Sequence, residues 1–313
     1  MREQELNRLI DSLIQQEHLP DTYRQTVADV VLPLARDLSQ QAGKAAYPLL
    51  VGINGAQGTG KSTLSLFLSE LLTKAFDCPC ARFSLDDIYL TLAEREHLAE
   101  TIHPLLRTRG VPGTHDLLLG QQVIEQLRSV KAGEHVAIPA FDKASDDRFP
   151  HSRWAVVEGP FKVILLEGWC LGAVAEREPD SLDTPINTLE KDEDADGAWR
   201  RFVNDRLATD YRDFFGQLDV LIMLKAPSMA CVVEWRTLQE RKLAQHRNGA
   251  PKRGAMESVP PNRIMSDQQV QRFIMHYERI TRATLAEMPD RADVVIAVGG
   301  DHGLAAPVYR ESI

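Results

Sequence analysis

The chain is short of cysteine, of aromatic residues and of net positive charge, and it has no long uncharged apolar run. Four cysteines in 313 residues, two of them in Cys78-Pro79-Cys80, lack the paired C-x-x-C spacing of a zinc site and are too few for a disulfide scaffold. Reduced thiols in a cytoplasmic protein are the expectation. A formal net charge of −9 argues against a non-specific binder of nucleic acid or of an acidic membrane, because both partners demand a basic face. The first residues, Met1-Arg2-Glu3-Gln4-Glu5, are too charged for a signal peptide, and no uncharged run reaches the roughly 20 residues that span a bilayer. A small-molecule substrate is therefore expected, with no nucleic acid and no membrane as partners. Oligomeric state is not legible at this level.

What is present is a 43% hydrophobic chain with enough apolar residues for a substantial core. Leu6, Leu9, Ile10, Leu13 and Ile14, then Tyr23, Val27, Val30, Val31 and Leu34, recur at helical spacing and predict an N-terminal helical extension over 1–45. From residue 46 to 313 short apolar strands alternate with helices: Leu49 to Ile53, Ala81 to Leu85, Val163 to Leu166, Val220 to Leu224 and Val294 to Val298. That rhythm predicts an α/β, three-layer fold with a five-stranded, mainly parallel sheet, which the phosphate loop after the first strand makes a P-loop NTPase fold. Ligands in such folds bind at the carboxyl ends of the strands, so the residues after each strand are the ones to search.

After the first strand stands Gly55-Ala56-Gln57-Gly58-Thr59-Gly60-Lys61-Ser62, followed by Thr63. This G-x-x-x-x-G-K-S loop binds triphosphate through backbone N–H groups and a helix N-terminus, with Lys61 reaching the β- and γ-phosphates and Ser62 holding magnesium. ATP and Mg2+ are the expected cofactors. The second strand runs into Asp86-Asp87-Ile88-Tyr89, where Asp86 is the preferred general base for an acceptor hydroxyl and Asp87 the runner-up or a magnesium partner. The blander alternative is that the acid pair only caps the next helix. The third strand ends in Glu167, a carboxylate for magnesium, directly or through water.

Two stretches break the rhythm. Residues 173–198 carry nine acidic side chains from Glu176 to Asp196 and read as an exposed acidic insertion. Residues 246–263 are rich in Gly, Pro and base, within a lid region drawn over 235–265. Arg236 and Arg241 on the preceding helix are candidates to neutralise the transferred phosphoryl group, with Arg236 taken as catalytic; at five residues apart they do not share a face. A later helix presents Val270, Phe273, Ile274, Tyr277, Thr281 and Thr284 on one face, with Arg272, His276, Arg279 and Arg282 expected in water on the other.

Taken together, the phosphate loop, Ser84-Leu85-Asp86-Asp87-Ile88-Tyr89, Arg109-Gly110-Val111-Pro112-Gly113-Thr114-His115-Asp116, Pro139-Ala140-Phe141-Asp142-Lys143 and Leu166-Glu167-Gly168-Trp169 resemble the P-loop kinases related to pantothenate kinase, uridine kinase and phosphoribulokinase. Within that group the chain is most similar to the D-glycerate 3-kinase family, over residues 47 to 298. The resemblance implies ATP- and magnesium-dependent phosphorylation of a metabolite hydroxyl, D-glycerate to 3-phosphoglycerate first. It maps the base onto Asp86, although Ile88 replaces an aromatic residue of the relatives. Glycerate carries a carboxylate, so cationic side chains are sought in the segments the resemblance places near the acceptor. Arg107, Arg109, His115, Lys143 and Arg148 qualify; Arg109, His115 and Arg148, with Asp86 and Tyr89, are the preferred substrate contacts. Pantothenate, a nucleoside or another small alcohol remain alternative acceptors, as does a non-catalytic nucleotide-binding regulator. A GTPase is disfavoured because the fourth strand ends Leu224-Lys225-Ala226-Pro227 and not in N-K-x-D.

Overall fold

The computed structural model describes residues 3–249 and 265–310. Its central sheet contains the five expected strands, β1 (Leu49–Gly55), β2 (Cys80–Ser84), β3 (Val163–Gly168), β4 (Val220–Lys225) and β5 (Val294–Ala297), all parallel. A short edge strand, β6 (Val308–Tyr309), pairs antiparallel with β5 and was not foreseen, because two residues carry no periodicity to read. The order across the sheet is β6-β5-β4-β1-β3-β2, so β1, with its phosphate loop, lies in the interior between β3 and β4. Every residue of β1 is buried.

Side chains alternate across the sheet and split the core in two. Leu49, Val51 and Ile53 join one cluster with Val163, Leu165 and Ile222. That cluster also takes in Leu64, Phe67 and Leu68 of the helix Lys61–Ala75, and Val27, Val30, Val31 and Leu34 of the N-terminal helices. Tyr23 meets Phe67 edge-on at 5.2 Å. Leu50, Ile164 and Leu166 point the other way, into a cluster with Leu85, Ile124, Trp169 and Tyr211.

Most of the acidic stretch is exposed as expected, Glu178, Asp180, Asp183, Asp192, Glu193 and Asp196 included. Glu190 and Asp194 are the exceptions, buried because arginines outside the stretch pair with them. Arg279 holds Glu190 at 2.6 Å and Arg200 holds Asp194 at 2.9 Å. Desolvated charges need such partners, and a local window of sequence does not contain them. The polar face of helix Asp267–Glu287 is accordingly not all in water: Arg279 is taken up by these acids, and His276 is buried against Trp199 with ring centroids 5.9 Å apart. The segment 250–264, about half of the expected lid region 235–265, lies outside the described residues.

Burial holds two histidines neutral. His276 is pulled down from 6.5 to about 4, burial outweighing the Nδ1–H bond it donates to the Arg272 carbonyl. His115 is pulled down to about 3, burial outweighing nearby Asp86. The unfolded chain takes up these protons as pH drops below 6.5 while the folded chain refuses them, so stability falls from there downward. Between pH 7.5 and pH 5 the expected loss is about 2 kcal/mol for each histidine. Urea unfolding at the two values checks this: the loss between them should shrink by about 2 kcal/mol in His276→Phe.

Candidate active site

The phosphate loop is built for an anion. β1 ends at Gly55, and the helix Lys61–Ala75 begins with no side chain capping its first N–H groups, which leaves them directed at the loop's mouth. Gly60 and Gly58 take left-handed φ of 87° and 84°, and a Cβ on Gly58 would lie 2.7 Å from Trp235 Cβ. Inside the loop the Thr59 hydroxyl donates to the Ala56 carbonyl at 2.8 Å, and Lys61 Nζ donates to the same oxygen at 3.1 Å. Burial lowers the Lys61 ammonium pKa; Glu167 and Asp86 oppose the shift. Trp235 and His302, stacked at 4.6 Å, cover the loop from outside, and His302 Nδ1 donates to the Gly58 carbonyl at 3.1 Å. Sequence reasoning missed this cover because residues 58, 235 and 302 meet only in the folded chain.

The carboxylates come from the neighbouring strands. Parallel register sets Glu167 of β3 between Ile53 of β1 and Ser84 of β2. The Ser62 hydroxyl donates to Glu167 Oε1 at 2.8 Å, joining the loop's serine to the third strand's acid. After β2 the chain makes a one-turn 3-10 helix, Leu85–Ile88, closed by a capping box. The Asp86 amide donates to Ser84 Oγ at 3.1 Å, and the Ser84 amide donates to Asp87 Oδ2 at 2.9 Å. The cap and the free carboxylate are thus divided between the two acids: Asp87 caps, and Asp86 faces out. Burial first, then Asp86 and Glu167 nearby, push the Asp87 carboxyl up to about 6 against its bond from Ser84 N–H.

Asp86 accepts at both oxygens. The Tyr89 hydroxyl donates to Oδ1 at 2.6 Å and Lys143 Nζ donates to Oδ2 at 2.7 Å. Burial alone would raise this carboxyl, but Lys143, Tyr89 and Lys61 outweigh it and hold it well below the usual carboxylate range. It is ionised.

Of the preferred acceptor contacts, Tyr89 and His115 stack with centroids 4.7 Å apart beside Asp86. Tyr211 accepts the Gly113 N–H at 2.9 Å and meets His115 Nδ1 at 2.6 Å. Donation of its own proton to Nδ1 satisfies that buried hydroxyl and leaves the imidazole proton on Nε2, which is buried without a partner. Arg109 is paired with Asp146 and lies 5.5 Å over the Phe141 ring. Arg148 is consumed by the Tyr89 carbonyl at 2.9 Å and Asp116 at 3.0 Å, which makes it a brace for Tyr89 and for the N-cap of helix Leu117–Ser129. Arg107 pairs with Glu96 on the surface. Lys143, weighed in the sequence but not preferred, is the cation that touches Asp86, across 57 positions that no local pattern links. Arg236 is held by Glu240 at 2.5 Å and sits 5.5 Å over Phe273, and Arg241 pairs with Asp267. The helix carrying Phe273 reaches the acceptor wall, since the Tyr277 hydroxyl donates to the Arg109 carbonyl at 2.9 Å. Tyr277 also packs edge-on against Trp169 at 4.8 Å.

No protein-family model matches the chain. It is 33% identical over 260 residues to an uncharacterized kinase, mug58, of Schizosaccharomyces pombe, covering 79% of this chain and 85% of that one. It is 29% identical over 265 residues to the chloroplastic D-glycerate 3-kinase of Arabidopsis thaliana, covering 80% of this chain and 52% of that protein, about half its length. The fold is shared with the solved D-glycerate 3-kinase of Cryptococcus neoformans var. grubii, with a TM-score of 0.67, 23% identity and coverage of 90% of this chain and 99% of that one. Among the described residues no helix is long and apolar enough to cross a membrane. With kinase relatives aligned along most of its length and a phosphate loop braced by the third strand's acid, the chain belongs to the P-loop kinase family that includes D-glycerate 3-kinase, and it is an ATP-dependent small-molecule kinase.

Proposed function

We propose that the chain transfers the γ-phosphoryl group of ATP to D-glycerate, giving 3-phosphoglycerate and ADP. One observation carries the proposal: Asp86, released from capping by Asp87, stands ionised beside Lys61 of the phosphate loop and beneath the Lys143 ammonium. The names of the relatives supply the acceptor, and the Lys143 and Arg109 cations near Asp86 suit an acceptor that carries a carboxylate.

In this reading the loop residues Gly55 to Thr63 hold the triphosphate, their N–H groups and Lys61 Nζ neutralising its terminal oxygens. Asp86 orients the acceptor hydroxyl and accepts its proton as the oxygen–phosphorus bond forms and the bond to the β-phosphate oxygen breaks, the electron pair leaving with ADP. Tyr89 fixes the base through its 2.6 Å bond, and His115, buried, stacks on Tyr89 and does not present a free N–H to the acceptor. Arg236, on the helix Met229–Gly249, is the guanidinium assigned to the transferred group.

Ser62, Glu167 and Asp87 make an all-oxygen donor set that fits magnesium, with Ser62 and Glu167 already in contact. Among the described residues no group of three or more His, Cys, Asp or Glu side chains could hold a metal ion. When bound, magnesium would neutralise charge on the β- and γ-phosphates.

A coupled assay of ADP formation with ATP, magnesium and a panel of D-glycerate, L-glycerate, pantothenate and uridine tests the acceptor. D-Glycerate should give the highest kcat/KM; ATP hydrolysis that no acceptor accelerates would remove the kinase reading. Asp86→Asn should lower kcat by about 10²- to 10⁴-fold while nucleotide still binds, as measured by fluorescence titration. Turnover like that of the parent would move the base elsewhere. Lys61→Ala should lower kcat by about 10²- to 10³-fold, and chelation of magnesium should stop transfer in the parent.

A further inference from the structure

The cation on Asp86 has a use beyond ionising it. Lys143 sits at the turn of a hairpin whose strands are Phe141–Asp142 and Asp147–Arg148. The base of that hairpin is fastened hard. Arg95, buried completely, donates to the Asp146 carbonyl and carboxylate, and Arg109 pairs with the same carboxylate. The Leu92 amide donates to Asp147 at 3.1 Å, and Phe141 packs edge-on against Tyr89 at 5.2 Å. Asp142 spends its carboxylate inside the turn, on the Ala144 amide and the Ser145 hydroxyl, both within 2.9 Å. Among the described residues Asp86 is therefore the one carboxylate that pairs with Lys143. The Lys143 side chain is 61% exposed, so its stem can swing while the hairpin stays in place.

We propose that Lys143 selects for acidic acceptors: in the free enzyme its ammonium closes over Asp86 Oδ2, and an acceptor that brings its own carboxylate draws the ammonium off the base and binds it. The proposal rests on the D-glycerate reading above. With Oδ1 already engaged by Tyr89, Oδ2 is the oxygen left to meet the acceptor hydroxyl, and Lys143 stands on it. A carboxylated acceptor offers the ammonium an equal partner, so the exchange of one carboxylate for another costs little. A neutral alcohol of the same size offers none, and displacing Lys143 then leaves an ammonium without its counter-charge. Glycerol, which replaces the carboxylate of glycerate by a hydroxymethyl group, is the neutral probe.

The experiment compares the parent, Lys143→Met and Lys143→Arg with D-glycerate and with glycerol, reading kcat and KM separately. The ratio of kcat/KM for D-glycerate over glycerol should fall about 10- to 100-fold in Lys143→Met, through a higher D-glycerate KM, and Lys143→Arg should restore part of it. Thermal melts of the three proteins establish that each variant is folded at the assay temperature. If Lys143→Met lowers kcat for both acceptors in proportion, with the ratio kept, Lys143 serves the transferred phosphoryl group and the selection is overturned. An unchanged D-glycerate KM overturns it equally. A parent enzyme that does not transfer to D-glycerate at all refutes the substrate reading itself, an outcome told apart by the parent alone.

Discussion

One backbone hydrogen bond, from the Ser84 amide to the Asp87 carboxylate at 2.9 Å, sorts two adjacent acids into different environments. Asp87 turns back to close the first turn after β2, where burial raises its pKa. Asp86 is thereby turned toward Tyr89, Lys143 and Lys61, where three donors or cations keep it charged. Two carboxylates side by side in sequence would repel if both faced one cleft; the capping box separates them at the cost of a single short turn. The placement of Glu167 follows from the same strand ends. Register between β1, β2 and β3 brings it level with Ser84 and within reach of Ser62, so the loop's serine and two strand-end acids converge without any loop having to be long.

The acceptor side is held by a second set of constraints. Arg148 and Arg95 are committed to structure: one braces the Tyr89 carbonyl, the other fastens Asp146 at the hairpin. Trp169 Nε1 donates to the Gly110 carbonyl at 2.9 Å, and Tyr277 caps the Arg109 carbonyl beside it. The helix Asp267–Glu287 thus spans two tasks. One end of its contacts fixes the segment 109–110, and the other pairs Arg279 with buried Glu190 and half-buried Glu176. Such buried ion pairs stabilise little for their desolvation cost, but removing one partner leaves the other charge stranded, so they tie the 173–198 segment firmly to this helix.

The strands, the phosphate loop and its helix were legible in sequence because each is written locally: apolar runs of strand length, three glycines before Lys61-Ser62, and 3.6-residue spacing. Asp86, Tyr89, His115 and Glu167 were legible as candidates because they follow strand ends or lie in quoted motifs. What each does to its neighbours was not. Arg148 reads in sequence like a substrate guanidinium and in the fold like a brace, since its partner Asp116 lies 32 positions away. The run 173–198 reads as a solvated loop because the arginines that neutralise it, 200 and 279, stand outside it.

By itself, then, the order of residues determined the α/β sheet, the anion-binding loop and the presence of acids at the strand ends, all products of short-range patterning. The local turn after β2 decides that Asp87 caps and Asp86 does not. Tertiary structure alone decided which cation sits on Asp86 and that Glu190 is buried against Arg279. Those outcomes depend on approaches of a few ångströms between segments tens to hundreds of residues apart, where electrostatic and hydrogen-bond energies change steeply with distance and no local periodicity records them.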